Sequence, residues 1–244
     1  MNLALQRKRL AKARVALGDP GYRAALRLGV LPAVEHQAVL AQLPPLAAVL
    51  DVGANVGQFA LVARHVFPAA RITSFEPLPG AADKLRTVFG SDPLHTCVPV
   101  ACSDAAGSTP FHVTGADDSS SLLRVADRQV AEFPATKGVA TLTVTVQRLD
   151  DALPEGALPD GPALLKIDTQ GSELAVLQGA AVVLARVSHV LVEASFVELY
   201  QGQASAADVN AHLVANGFGL RCAYDVKTSR ITGEPIQADL LFER

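Results

Sequence analysis

Five acids stand where the strands of an α/β protein would end: Asp51, Glu76, Asp104, Asp168 and Glu193. In open α/β sheets the ligand lies at the carboxyl ends of the strands. Carboxylates placed there can attract a cation, accept hydrogen bonds from hydroxyl groups, or take up a proton as a general base. The most informative stretch is Val49-Leu-Asp-Val-Gly-Ala-Asn-Val-Gly57. Gly53 and Gly57 would let a ligand approach the backbone, and the helix that follows would offer free N–H groups. Glu76 would then accept hydrogen bonds from ribose hydroxyls. Two glycines do not meet the dinucleotide fingerprint. A carboxylate at Asp51 would also repel a pyrophosphate, whereas it would attract the ammonium of an amino-acid group. The pattern therefore favours S-adenosylmethionine over a dinucleotide. The plain alternative for any one of these acids is a helix N-cap, and Asp104 also fits a simple turn over 104–107.

The elements that must position these groups follow from periodicity and punctuation. Residues 1–45 read as helices, with a break at Gly18-Asp-Pro-Gly21, a second helix around Tyr22–Leu28, and a stop at Pro44-Pro45. Strands are expected at 47–51, 71–75 and 95–100, with helices at 56–67 and 79–89 between them and Gly90 as a C-cap. From Gly107 to Asp150 the alternation fails. Two strand-like runs, 109–113 and 141–147, the second burying Leu142, Val144 and Val146, read as a hairpin-like insertion sized for a lid or substrate flap. The rhythm resumes with a strand at 163–168, a helix over 173–186 with apolar positions 174, 177, 181 and 184, and a strand at 189–194. A helix capped by Ser205 and Asp208 follows, then strand-like runs at 218–224 and 238–242. The expected fold is α/β: a Rossmann-like seven-stranded sheet with an antiparallel last strand, a helical N-terminal extension (1–45), a main domain (46–244) and a β insertion after the third strand.

Composition narrows the class. The chain has 244 residues, half of them apolar and 18% charged, enough for one well-packed domain. A net charge of −3 argues against nucleic acid as the main partner. The basic residues at 7, 8, 9, 12 and 14 read as the solvated face of a helix. Three cysteines form neither a metal-ligand spacing nor a disulfide framework. No secretion signal and no apolar run of ~18 residues is expected, so no integral membrane segment, and the compartment expected is the cytoplasm.

Asp51-Val-Gly-Ala-Asn-Val-Gly-Gln-Phe59, Ser74-Phe-Glu-Pro77, Ser119-Ser-Ser-Leu-Leu123, Lys166-Ile-Asp-Thr-Gln-Gly-Ser-Glu173 and Glu193-Ala-Ser-Phe-Val-Glu-Leu-Tyr200 occur in this order. Together they resemble the FkbM-type family of S-adenosylmethionine-dependent methyltransferases, over roughly residues 45–244. The resemblance implies the class I methyltransferase fold and methyl transfer to oxygen, commonly on a sugar or a polyketide-like product. Carried over by position, it implies that Asp51, Gly53, Ala54, Asn55 and Gly57 hold the methionine part of the cofactor. Glu76 and Pro77 would take the ribose, and Ala101, Cys102, Ser103 and Asp104 would border the adenine. Asp168 and Gln170 would face the sulfonium methyl. Ser172 stands where the family commonly has a larger or aliphatic residue, and Ala194 is also atypical.

An alcohol acceptor needs a group to take its proton, and Asp168 is the first choice, Glu193 the second. His112, in the inserted strand, is a third candidate. His189 would lie at the far end of its strand, and His36, His65, His95 and His212 read as surface positions. The two acids could instead ligate a divalent cation, a reading not favoured because no third ligand is evident. Glu173 suits the helix dipole. Glu198 and Tyr200 would line the acceptor pocket or anchor the loop after the strand. The leading expectation is an O-methyltransferase of a sugar hydroxyl, free, nucleotide-linked or in a glycan. A secondary-metabolite or lipid acceptor, and a non-catalytic scaffold, are the alternatives. A homo-oligomer is left open.

Overall fold

The computed structural model describes residues 20–116 and 118–244; the basic helix expected at the start of the chain and Asp117 lie outside them. Seven strands form the main sheet: β1 (Ala48–Val52), β2 (Arg71–Phe75), β3 (His95–Val98), β7 (Ala163–Ile167), β8 (His189–Ser195), β9 (Gly219–Thr228) and β10 (Pro235–Glu243). Their order is β3-β2-β1-β7-β8-β10-β9, and β10 runs opposite to the other six. This is the class I methyltransferase arrangement expected from the sequence. β1 and β7 are buried at every position, as central parallel strands covered on both faces must be. From β1 the chain winds outward to β2 and β3, then returns to β7 and proceeds the other way. That reversal opens a crevice at the carboxyl ends of β1 and β7.

Helices cover both faces. Leu50, Val52, Leu165, Ile167, Val190 and Val192 point into one core, and Val49, Leu164 and Leu191 into the other. Helix α1 (Pro20–Arg27) buries Tyr22 and Ala25 in the second core, which it shares with α3 (Gln58–Val66). A 3-10 turn at Val34–His36 and the short α2 (Gln37–Leu40) complete the lead-in to β1. Helix α4 spans Pro79–Phe89, the expected bounds, and Gly90 follows as its C-cap.

The insertion is a small second sheet. β4 (Ala101–Ser103), β5 (Gly107–Thr114) and β6 (Gly138–Arg148) are ordered β4-β6-β5, with β5 and β6 antiparallel and α5 (Asp127–Glu132) between them. The strand expected over 95–100 therefore ends at Val98, because the chain leaves the main sheet for this one. Val144 and Val146 are buried as expected, but Leu142 is 45% exposed, since the first half of β6 extends beyond the core.

The helix expected over 173–186 is two helices, α7 (Glu173–Gln178) and α8 (Ala181–Arg186), with α6 (Leu149–Ala152) packed beside them. At the break, a Cβ on Gly179 would lie 2.0 Å from the Ser103 carbonyl oxygen, so the chain passes too close to β4 for any side chain. The Asp150 carboxylate then accepts from Val182 and Val183 N–H (3.1 and 3.0 Å), capping the second start. Leu177 and Leu184 are buried and Ala181 is exposed. Helix α9 (Ala206–Ala215) carries the Ser205–Asp208 capping box read from the sequence. Among the described residues, no helix is long and apolar enough to cross a membrane.

Candidate active site

A cavity of about 540 Å³ fills the crevice at the strand ends, with Ser119, Leu122 and Phe133 of the insertion on one side and the β9–β10 hairpin on another. Its first half is built by the turn after β1. Gly53, Ala54, Asn55, Glu76, Pro77, Ala101 and Cys102 all line it. Glu76 holds the turn: Oε2 accepts from Asn55 N–H (2.9 Å) and Oε1 from Leu78 N–H (2.8 Å). Burial pushes its pKa up to about 7 against those two bonds. Each oxygen keeps a further lone pair, so acceptance from a diol remains open to it.

Several residues expected at the ligand lie away from the cavity or serve packing. Asp51 is fully buried behind the wall and does not line the cavity. Its Oδ1 lies 3.1 Å from Lys166 Nζ, and neither carboxylate oxygen has a well-formed hydrogen bond among the described residues. Burial raises its pKa while Lys166 opposes the rise. Gly57 also lies off the cavity: at φ +94° its missing Cβ leaves room for Leu85 Cδ1, which would be 2.6 Å away. Gly53 lines the cavity, but what requires it is the Asp168 carbonyl oxygen, 1.8 Å from where a Cβ would stand. The two glycines thus serve packing between protein segments as much as ligand approach. Ser103 and Asp104 turn to a separate open hollow with Leu174 and Gln178, Ser103 Oγ donating to Asp104 Oδ1 (3.1 Å). They do not border the main cavity. His112 is outside it too, its Nδ1 3.5 Å from Thr141 Oγ1. The β5 position that faces inward is its neighbour Phe111.

At the centre, Gln170 joins the two acids expected to matter most. Its Nε2 donates to Asp168 Oδ1 and to Glu193 Oε2, each at 2.7 Å. Its Oε1 lies 2.8 Å from the buried Tyr200 hydroxyl, which is also 3.0 Å from the Ser119 carbonyl oxygen and has one proton to donate. Glu173 braces the loop below, accepting from Thr169 and Gly171 N–H at 3.0 Å. The dipole reading for Glu173 misses this role. Asn55, Gln170 and Asp225 are the described non-glycine residues with positive φ, and all three line the cavity. Such strain persists where surrounding contacts over-determine the backbone.

Two lysines given no role in the sequence reading divide the charge. Lys166 Nζ lies between Asp51 and Asp168 (3.1 and 3.6 Å) and donates to the Gly53 carbonyl (3.3 Å). Lys227 Nζ lies 2.8 Å from Glu193 Oε1. Burial pushes the Asp168 carboxyl up, but Lys166 and the Gln170 bond hold it below the usual carboxylate range. Burial and the Asp168 charge raise Glu193 above that range, against Lys227. The proton affinities of the two acids are thus driven apart, and Glu193 becomes the stronger base. Lys166 had a signal in the sequence, as the one charge in a buried five-residue strand; Lys227 had none. His36, expected at the surface, is buried and lines the cavity beside Ala33 and Glu35. Among the described residues no group of three or more His, Cys, Asp or Glu side chains is arranged to hold a metal ion.

Known proteins share this plan. The chain is 31% identical to Methyltransferase sdnD of Sordaria araneosa over 168 residues, 59% of this chain and 64% of that one. It is 26% identical to Methyltransferase 1 of Beauveria bassiana over 194 residues, 74% and 76% of the two chains. The crystal structure of Methyltransferase FkbM from Methylobacillus flagellatus superposes with a TM-score of 0.50 at 14% identity, covering 82% of this chain and 45% of that one. The last comparison speaks for the fold. Residues 51–225 match the model of the Methyltransferase FkbM domain, and the chain belongs to that family.

Proposed function

We propose that this protein is an S-adenosylmethionine-dependent O-methyltransferase that acts on a hydroxyl of a small polar acceptor, with a sugar hydroxyl as the leading class. The cofactor reading is supported by the turn Gly53-Ala54-Asn55, which lines the cavity beside the carboxylate of Asp168. A cationic amino-acid tail suits a wall that carries this acid. The turn Gly53-Ala54-Asn55 would hold this tail, Glu76 the ribose, and the apolar wall at Ala101, Cys102 and Phe111 the base. When bound, S-adenosylmethionine supplies a methyl group already activated on a sulfonium.

The chain's own part is to place and deprotonate the acceptor. The observation that carries this reading is the Asp168–Gln170–Glu193 bridge at the meeting point of the cavity's two halves. Asp168, held ionised by Lys166, orients the Gln170 amide. Glu193 takes the hydroxyl proton, and Lys227 steadies it. Proximity and orientation of this kind are worth ~7–11 kcal/mol, and base assistance adds roughly 10²–10⁴ in rate. The charged groups Glu193, Lys227 and Asp239 at the acceptor end favour a polyol. The test is calorimetry with S-adenosylhomocysteine, followed by transfer of labelled methyl to a panel of sugars. Absence of binding would end the methyltransferase reading, and transfer to lipids or phenols alone would end the sugar reading.

A further inference from the structure

At the acceptor end, pairing between strands sets three side chains in one row. Glu193 on β8 lies directly across from Asp239 on β10, and Asp239 directly across from Tyr224 on β9. Side chains so opposed share a face, with Cβ atoms ~5 Å apart, and like charges placed this way destabilise a sheet. Lys227 relieves part of the repulsion, but its Nζ is committed to Glu193 Oε1 at 2.8 Å and to Asp225 Oδ2 at 3.8 Å. Asp239 is left over. It is only 6% exposed, it lines the cavity, and it makes no hydrogen bond among the described residues. Among the described residues its one ion-pair neighbour is His36, whose Nδ1 stands 3.9 Å from Asp239 Oδ2. That imidazole is not a counter-ion near neutral pH. Burial lowers its pKa to about 4, and its Nδ1 is engaged with the Tyr224 hydroxyl at 2.8 Å.

A buried carboxylate aimed into a cavity, opposed by another acid and without a donor, is an expensive arrangement unless a ligand completes it. We propose that Asp239 binds a protonated amine on the acceptor, so that the substrate is an amine-bearing polyol of the amino-sugar class. An ammonium brings three donors and the charge that the row lacks, whereas a neutral hydroxyl brings no charge. The cofactor's own ammonium is placed at the other end of the cavity, at the Gly53–Asn55 turn beside Asp168. The inference rests on the methyltransferase reading for the hydroxyl and on the strand row for the amine.

The experiment titrates the full chain, saturated with S-adenosylhomocysteine, with methyl glucoside and its 2-, 3-, 4- and 6-amino-deoxy analogues. At least one amino analogue should bind roughly tenfold or more tighter than the parent, the value of a charge-assisted hydrogen bond. Asp239→Asn should abolish that preference while S-adenosylhomocysteine still binds. Without ligand and above about pH 7, where Asp239 is ionised, the same variant should melt at a higher temperature, since it relieves the like-charge pair. Equal affinity across the panel, no binding by any member, or a preference that survives Asp239→Asn would overturn the proposal. So would an unchanged or lowered melting temperature of the variant. Failure of the wild type to bind S-adenosylhomocysteine would instead remove the methyltransferase reading.

Discussion

The two ends of the cavity handle buried charge in opposite ways. At the β1–β2 end the acids are provided for locally: Glu76 by backbone N–H groups of Asn55 and Leu78, Asp51 by Lys166 on the adjacent strand. At the β8–β10–β9 end, Glu193 shares Gln170 with Asp168 and Lys227 with Asp225, and Asp239 has no donor. At the first end each acid has a partner on a neighbouring segment, backbone N–H groups for Glu76 and a cation for Asp51. The second is poised and under-neutralised, which suits proton transfer and recognition of a charged group. A cofactor common to a family calls for the first design, and an acceptor particular to one member calls for the second.

This contrast can be broken at several points. The largest effect is expected from Gly53→Ala, which places a Cβ 1.8 Å from the Asp168 carbonyl oxygen at φ +78°. It should cost on the order of 5 kcal/mol in urea unfolding, because backbone rather than a side-chain tip must move. Lys166→Met should cost about 3–5 kcal/mol by leaving Asp51 buried without its counter-charge. Asp51, already raised by burial, would then be driven further toward its neutral form, so the deficit should grow as pH rises. Adding Asp51→Asn should recover most of it; independent, additive losses would show that the pair is not the structural unit described here.

Substitutions at the other end should spare folding and change turnover. Glu193→Gln should lower methyl transfer by roughly 10²–10⁴ while S-adenosylhomocysteine binding persists. In the wild type, the rate should rise with pH along a limb above the ordinary carboxylate range, because Glu193 must lose its proton to act and burial raises its pKa. A limb below that range would assign the base to Asp168. Tyr200→Phe removes the hydroxyl beside Gln170 Oε1 and should reduce turnover about fivefold to tenfold, with the pH limb shifted as the amide loosens.

The smallest effect is on stability. Burial pushes Asp239 up to about 7, so the fold binds this proton more tightly than the unfolded chain does. Its contribution is therefore favourable at low pH and is lost as pH rises from the ordinary carboxyl value through about 7. Asp239→Asn should flatten that part of the stability profile without ligand. An unchanged profile would show the two ends to be equally neutralised.

Where chemistry depends on neighbours in sequence, reading it needed no coordinates. The run from Val49 to Gly57, the acid at 76 and the capping box at 205 all foretold their local structure, because hydrogen bonds over a few residues and strict burial periodicity leave few alternatives. The same reasoning did not place Gly57, Asp104 and His112 off the cavity, nor break the helix after 173. For Gly57 and for the helix break the deciding contact came from far along the chain: Leu85 against Gly57, and Ser103 against Gly179. The turn of the chain out to β4 set where Ser103 and Asp104 face.

By itself the sequence determined the sheet, its acid-tipped strands and the family. Only the tertiary structure decided which of those acids face the cavity, that Lys166 and Lys227 divide them, and that His36 and Asp239 meet at the far end. The reason is physical: the charge state of a buried group depends on what surrounds it in space, and here those surroundings come from residues up to about 200 positions apart.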